Sequence, residues 1–588
     1  MLDDILLQVN KPARYLGNEW NVPKKDFAQA TVKFALCFPD LYEVGMSNLG
    51  LRILYGILNG IADVICERVF HPAPDMESLM RQKSIKIFSL ESQRQLSDFD
   101  FIGFSLAYEL NYTNVLNILE LSGIPLLSSE RGDCFPLVIA GGSCCLNPEP
   151  LADFIDLFVI GEAEEAIMEI VDIYRAFKRK ARMERPRKED ILYALSQIEG
   201  VYVPAFYRVE YNCDGTLKSF VPKLSGIAKK IKKRTIKDFA GVTHPVSWII
   251  PFIQIIHDRI SLELMRGCPN HCRFCQARTL YYPYRYATPE RIIDLAKEAY
   301  ALTGYDDISL LGLSVCDYFK IKELLADLVG IFKKDAVSIS LPSLRPRENT
   351  KELLQLIARV KKTGLTLAPE AATDRLRQVI DKDFHQDIFF GTIEHAYKLG
   401  YQHLKLYFMI GLPSETEEDL GGILDLAKRV ADLKIKIDKK SAAVNLSIAT
   451  FIPKPHTPFQ WLGMQDLESI ESKQHYLKSR LKKYVGSKIK LSFHNRHMSF
   501  VEGVLSRGDR RIAAAILRAA RAGAKFDAWG NYFLFAPWLK GFAEAGLNPN
   551  FYLTRPKSKN ELLAWDFIDS GIAPEILRSE LEKANIEY

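Results

Sequence analysis

The stretch Ile260-Ser-Leu-Glu-Leu-Met265-Arg-Gly-Cys268-Pro-Asn-His-Cys272-Arg-Phe-Cys275 carries more information about this chain than any other. Ile260 to Met265 reads as a short strand, and Arg266-Gly267 supplies the turn that starts a cysteine loop. The loop spaces its thiols as C-x3-C-x2-C. Four-iron clusters are normally held by four thiolates, so three close ligands leave one iron open for chemistry. A metal loop at the end of a buried strand suits a catalytic barrel. A closed zinc site of Cys268, Cys272, Cys275 and His271 is the competing reading, although neighbours such as His271 and Cys272 rarely reach one tetrahedral ion. An odd triplet cannot pair internally as disulfides.

The 588 residues, 48% hydrophobic and 26% charged, are globular material sufficient for about two to four domains. Residues Met1 to Asn10 lack the basic start and apolar core of a signal peptide, and no apolar run approaches the roughly 20 residues of a membrane span. A cytoplasmic protein with no membrane partner is expected. Ten unevenly spaced cysteines make no disulfide scaffold. The net charge of +6 decides little, but basic residues gather at Arg175 to Lys188, Lys223 to Lys237 and Lys473 to Lys490. Such runs are either phosphate-binding surfaces or solvated helix faces and linkers.

From Thr31 to about Lys180 short apolar strands alternate with helix-length segments. The strand candidates are Val32 to Cys37, Lys86 to Ser89, Phe101 to Ser105, Leu137 to Ala140 and Leu157 to Ile160. This alternation predicts an α/β fold with a doubly wound, Rossmann-like sheet over 1–190, which binds ligands at strand carboxyl ends. Residues 191–250 read as a connecting segment. A second series over 251–470 has strands at Ile260 to Met265, Asp307 to Leu311, Val337 to Leu341, Gly364 to Leu367, His403 to Met409 and Val444 to Ala449, which fits a partial (β/α)6 barrel. Residues 471–588 form a C-terminal, mainly helical extension. Its basic and aromatic residues, Trp529, Tyr532 and Trp538 among them, suit a cap over the barrel or a nucleic-acid surface.

Barrel chemistry sits at the carboxyl ends of the strands. After the cysteine loop these ends carry Gly312-Leu-Ser314, Pro342-Ser343-Leu-Arg345, Ala368-Pro-Glu370 and Gly411-Leu-Pro413. Ser343, Arg345, Glu370 and Arg377 supply polar groups for a charged small molecule. Cys37, Cys144 and Cys145 read as buried structural thiols, and Cys316 as either packing or a redox partner.

The cysteine triplet, with Phe274 before its last member, resembles the signature of the radical S-adenosylmethionine (radical SAM) superfamily. The resemblance implies that Cys268, Cys272 and Cys275 hold a [4Fe-4S] cluster whose open iron chelates S-adenosylmethionine. Gly312 and Ser314 then stand where glycine and glutamate usually hold the methionine amine. Ser343, Arg345 and Glu370 become candidates for ribose and carboxylate contacts, and Gly411 and Pro413 for adenine support. Upstream, Asp40-Leu-Tyr42-Glu-Val-Gly45, Ser105 and the pair Gly141-Gly142 resemble the marks of a cobalamin-binding domain, with Tyr42 where a cobalt-ligating histidine would stand. Cobalamin bound without that histidine, or a domain that kept the fold and lost the ligand, are the two outcomes. Phe38 to Gly45, Ser314 to Tyr318, Leu341 to Arg345, Leu367 to Ala371 and Ala564 to Gly571 are similar to an uncharacterised group of radical SAM proteins with such an N-terminal domain. RNA methylthiotransferases are more distantly similar.

Reductive cleavage of S-adenosylmethionine to a 5′-deoxyadenosyl radical is the implied reaction, with an electron donor of flavodoxin or ferredoxin type. Cobalamin would direct it to methyl transfer onto an unreactive carbon. The alternatives are RNA modification of the methylthiotransferase kind and a non-catalytic iron–sulfur or corrinoid-binding partner protein.

Overall fold

Seven residues of continuous burial, Val64–Phe70, form a strand that hydrophobicity alone does not announce, because Glu67 and Arg68 interrupt it. The computed structural model describes residues 2–180, 187–242, 244–342, 344–358, 364–484 and 488–586. The chain folds as two units, one of Met1–Asp258, Val504–Pro549 and Asn560–Gly571, the other of Arg259–Gly503, Asn550–Lys559 and Ile572–Tyr588.

The first unit is built on β1 (Val32–Phe38), β2 (Val64–Phe70), β3 (Phe101–Ser105), β4 (Leu137–Gly141), β5 (Leu157–Val159) and β6 (Val201–Tyr202), in the order β2-β1-β3-β4-β5-β6. The first five are parallel; β6 runs antiparallel to β5. The segment over 191–250 is therefore part of this unit and not a connector. Lys86 to Ser89 is no strand of the sheet; only Phe88 forms an isolated bridge, to Gln95. The strand that belongs there is β2. Its charges are tolerated because each meets a partner: Glu67 accepts from the Ser89 and Ser92 hydroxyls, and Arg68 lies between Glu19 (2.7 Å) and Glu91 (2.6 Å). Buried charge is stable only when paired and hydrogen-bonded.

Between β1 and β3 the chain reverses its direction of travel across the sheet, the switch point where open α/β folds leave a ligand crevice. Gly142, just past β4, has φ +114, and a Cβ there would lie 2.5 Å from the Leu106 carbonyl oxygen. Gly142→Ala should cost roughly 2–4 kcal/mol through strain and clash. A change in urea midpoint equivalent to under about 0.5 kcal/mol would contradict this account.

The C-terminal extension over 471–588 is shared out: Val504–Pro549 and Asn560–Gly571 complete this unit, while Asn550–Lys559 and Ile572–Tyr588 belong to the other. Helix Ile512–Arg521 buries Ile512, Ala513, Ala515, Ile516 and Ala519 and packs on helix Tyr112–Ser122. Asn147 donates to the carbonyls of Ser506 (3.0 Å) and Gly508 (2.8 Å), and Arg510 pairs with buried Glu149 at 3.1 Å. The strip of small residues makes the helix self-complementary to an apolar surface, so it docks as core. Among the residues it brings in is Asp527, fully buried, accepting from Thr113 Oγ1 at 2.7 Å. Burial raises this carboxyl from its ordinary 3.8 to about 6. Both states are protonated below 3.8; as pH rises from there through 6 the unfolded chain ionises first and stability falls. Asp527→Asn should gain up to about 3 kcal/mol at pH 8 and little at acid pH. Urea melts of both proteins across that range check the sign.

The second unit carries β7 (Ile260–Glu263), β8 (Asp307–Leu311), β9 (Ser338–Ser340), β10 (Leu365–Glu370), β11 (His403–Ile410), β12 (Ala443–Thr450) and β13 (Lys488–Phe493). They form two parallel sheets, β7-β8-β9 and β10-β11-β12-β13, with helices between successive strands and no closed barrel among the described residues. Leucines and isoleucines of β10 to β12 pack against Phe389, Ile393, Leu424 and Val430 of the covering helices. Strand β13 was hidden in the basic run over Lys473 to Lys490. As an edge strand it buries Ile489 while Lys488 and Lys490 face solvent, and an exposed lysine on an edge also blocks further pairing.

Candidate active site

The strand β7 ends in the cysteine loop, and three features fix the loop's path. Gly267 takes φ +80 where a Cβ would meet the Pro283 carbonyl oxygen at 2.8 Å. Arg273, buried, donates through Nη1 to the carbonyls of Gln378 and Val379 (2.8 and 2.9 Å) and pairs with Glu580 at 3.2 Å. Thr279, in the helix after the loop, donates to the His456 carbonyl at 2.8 Å. Rigid anchoring of this kind holds ligands in place before a metal arrives.

Cys268, Cys272 and Cys275 open into one cavity of about 480 Å³, shared with Phe274, Ser314, Arg345, Glu370, Lys382 and Tyr407. His271 is exposed and does not line it. The closed zinc set of Cys268, Cys272, Cys275 and His271 therefore lacks its fourth ligand at this cavity. Burial raises the Cys272 thiol and pushes Cys275 up to about 11. Iron bound to them would supply the charge that lets them ionise.

Behind Asn270 and Ser314, which line the cavity, lies a polar network that the sequence did not reveal. Ser314 donates to Asp317 Oδ2 (2.7 Å), Asn270 Nδ2 donates to the same oxygen (2.8 Å), and Arg347 pairs with Asp317 at 3.1 Å while holding Asn270 Oδ1 at 2.9 Å. Asp317 is held below the usual carboxylate range by these hydrogen bonds and by Arg347, against the opposing cost of burial. Asn270 also donates to Cys268 Sγ at 3.3 Å. On the other side Glu370 stands at a register shift of β10 with φ +67, a conformation that costs a non-glycine residue about 1–3 kcal/mol. Burial raises its carboxyl; Lys382, 3.6 Å away, and Arg345 only partly counter that. Arg345 donates to the Asp383 carbonyl, and its buried Nε has no partner in the protein.

Ser314, Arg345 and Glu370 thus gather with the three cysteines, and Ser343 lies outside the described residues. Gly312 faces the Met265 side chain, where a Cβ would sit 2.9 Å away, and does not line the cavity. Gly411 and Pro413 do not line it either; the Gly411 amide donates to Glu415 at 2.9 Å. Arg377 is no rim group: it is buried, donates to the Ala371 and Ala372 carbonyls and stacks on Phe384 at 4.0 Å. Cys316 is buried beside Thr350 and Cys37 beside the Ala35 carbonyl. Lys382 and Asp317 were missed because each lies several residues past its strand end. Asn270, inside the triplet, was overlooked although its position invited attention.

Asp40, Tyr42, Gly45, Ser105, Gly141 and Gly142 all fall at the carboxyl ends of β1, β3 and β4. Most of their polar groups face the protein itself. Asp40 accepts from Trp529 Nε1 (2.9 Å) and the Leu41 amide (2.7 Å). Tyr42 is buried and donates to Glu19 at 2.9 Å. A Cβ on Gly45 would overlap the Phe70 ring at 2.2 Å.

Residues 262–427 match the family model described as the radical SAM superfamily, and residues 50–204 the one described as radical SAM proteins, N-terminal. The chain is a radical SAM enzyme, with a [4Fe-4S] cluster and S-adenosylmethionine as its cofactors. An uncharacterized protein of Methanocaldococcus jannaschii is 28% identical over 520 residues, 88% of this chain and 98% of that protein. The tRNA-2-methylthio-N(6)-dimethylallyladenosine synthase of Desulforamulus reducens is 28% identical over 179 residues, 29% of this chain but only 39% of that enzyme. Among solved structures, the cobalamin-dependent radical enzyme OxsB has a TM-score of 0.48 at 11% identity over 94% of this chain and 79% of its own. The radical SAM methyltransferase TsrM of Kitasatospora setae has 0.45 at 13% identity over 70% and 72%.

Proposed function

We propose that this enzyme abstracts a hydrogen atom from an organic substrate held at the mouth of the cysteine cavity. What supports the reading is the convergence of three cysteines, a buried carboxyl and two cations on one cavity. Cys268, Cys272 and Cys275 would hold the cluster. Arg345, with an unpartnered Nε, and Lys382 offer cations to the carboxylate of S-adenosylmethionine, and Glu370 and Ser314 offer acceptors to its hydroxyl and amine groups. When bound, a cluster reduced by one electron would supply that electron to the sulfonium of S-adenosylmethionine, the chemistry that releases methionine and a 5′-deoxyadenosyl radical. The polar network of Asn270, Asp317 and Arg347 fixes the cavity wall in advance, so little is lost in ordering it. The reductant would be a one-electron protein donor of the flavodoxin or ferredoxin type.

Methyl transfer is the finer alternative suggested by the N-terminal resemblance, and RNA modification the one suggested by the tRNA synthases. The basic runs give the latter limited support: Arg175 pairs with Asp63, Lys178 with Asp100, Lys188 with Asp156 and Arg234 with Glu165. Anaerobic reconstitution with iron, sulfide, dithionite and S-adenosylmethionine separates these. Formation of 5′-deoxyadenosine and methionine supports hydrogen abstraction; S-adenosylhomocysteine in their place would replace it with methyl transfer. RNA retained through moderate salt would favour an RNA substrate, because nonspecific phosphate binding weakens steeply with salt.

A further inference from the structure

The crevice at the β1–β3 switch point is where a doubly wound sheet receives a ligand, and here it is filled by the chain's own residues. Phe526, fully buried, joins Leu41 and Ala73 in one apolar cluster, with Val44 and Trp529 packed against it. Leu41 and Val44 belong to the segment after β1, where Asp40 and Leu41 lead into the short helix Tyr42–Gly45. The Phe526 ring meets His71 edge-on at 4.4 Å, and its amide donates to Asn114 Oδ1 at 2.8 Å. Trp529 donates to Asp40, Asp527 accepts from Thr113, and Lys525 pairs with Glu77 at 2.9 Å. Every polar side chain in this short stretch is thus tied to the ligand end of the sheet. Phe526 adopts φ +51, which a bulky residue keeps only when its surroundings hold it there.

Three further marks of a corrinoid holder are used up in the same way. The Asp40 carboxylate is bound by Trp529 and Leu41, the Tyr42 hydroxyl by Glu19, and the space beside Gly45 by Phe70. A cavity beside Tyr42, between Tyr15, Phe70 and His71, measures about 20 Å³, room for one water and not for a nucleotide base. We infer that Lys525 to Trp529 is a built-in occupant of the crevice, so that this domain is closed by the chain's C-terminal strap and retains no corrinoid. The inference is independent of the proposed hydrogen abstraction, since neither readout below involves turnover.

The full chain, with its cluster reconstituted, is produced in cells supplied with hydroxocobalamin and desalted. Its visible spectrum and cobalt content are read, and backbone hydrogen exchange is measured on the same sample. The expected result is no stoichiometric cobalt, with the Phe526 and Trp529 amides exchanging as slowly as those of β1 and β3. Trp529→Phe, which removes only the indole donor to Asp40, should speed exchange over 525–529 by about tenfold and leave β4 unchanged. One corrinoid per chain in the unsubstituted protein overturns the inference. So does fast exchange at Phe526 and Trp529 even without corrinoid, because the strap would then not occupy the crevice.

Discussion

In Cys272→Ala, 5′-deoxyadenosine formation should fall by at least ~10³-fold, a loss of about 4 kcal/mol of transition-state stabilisation, and bound iron should fall with it. Of the three cysteines Cys272 is the most buried, and it precedes Arg273, whose hydrogen bonds to the Gln378 and Val379 carbonyls hold the loop in the absence of metal. Removing one small thiol leaves those anchors intact, so far-UV circular dichroism and the urea midpoint of the metal-free protein should hardly move. Loss of activity with the fold preserved is the signature of a missing ligand. Retention of both iron and 5′-deoxyadenosine production in the variant would remove the cluster from Cys268, Cys272 and Cys275.

Arg68→Met should lower stability by roughly 3–5 kcal/mol, because it leaves buried carboxylates without their counter-charge. Arg68, 1% exposed, donates through Nε to Glu91 and through Nη2 to Glu19. Tyr42 donates to Glu19 and Tyr55 to Glu91, so four side chains depend on the one guanidinium. The triple substitution with Glu19→Gln and Glu91→Gln removes the uncompensated charges and should recover much of the loss. Urea unfolding of the single and triple variants measures both effects. An unchanged midpoint in Arg68→Met would mean that water already compensates these charges.

Those two experiments sit at opposite ends of what could be read from the chain. The cysteine loop was evident because its three thiols lie within eight consecutive residues; that spacing marks a metal-binding loop, and the resemblance to the radical SAM signature implies its chemistry. The two strand–helix series were evident because each strand is a short apolar run and each covering helix shows its own period. Strand β2 was missed because Glu67 and Arg68 broke that pattern, and β13 because lysines on its outward face made it look like surface. In both cases the compensating contact, an ion-pair network or a sheet edge, is supplied by distant residues. The polar network behind the cavity follows the same rule: Asn270 reaches Asp317, 47 positions away, and Arg347, 77 away.

Alone, the sequence determined a three-thiolate loop at a strand end and the α/β character of both series, since both are carried by local spacing and period, and its resemblance to the radical SAM signature implied the class of chemistry. Only the tertiary structure decided which strands complete the sheets, that Arg377 is a buried clamp and not a rim group, and that Val504–Pro549 joins the N-terminal unit. Asp40 and Trp529, hydrogen-bonded to each other, lie 489 positions apart. No local pattern can encode such a contact; it arises because the apolar face of Ile512–Arg521 must be buried, and doing so against helix Tyr112–Ser122 carries Phe526 and Trp529 into the crevice.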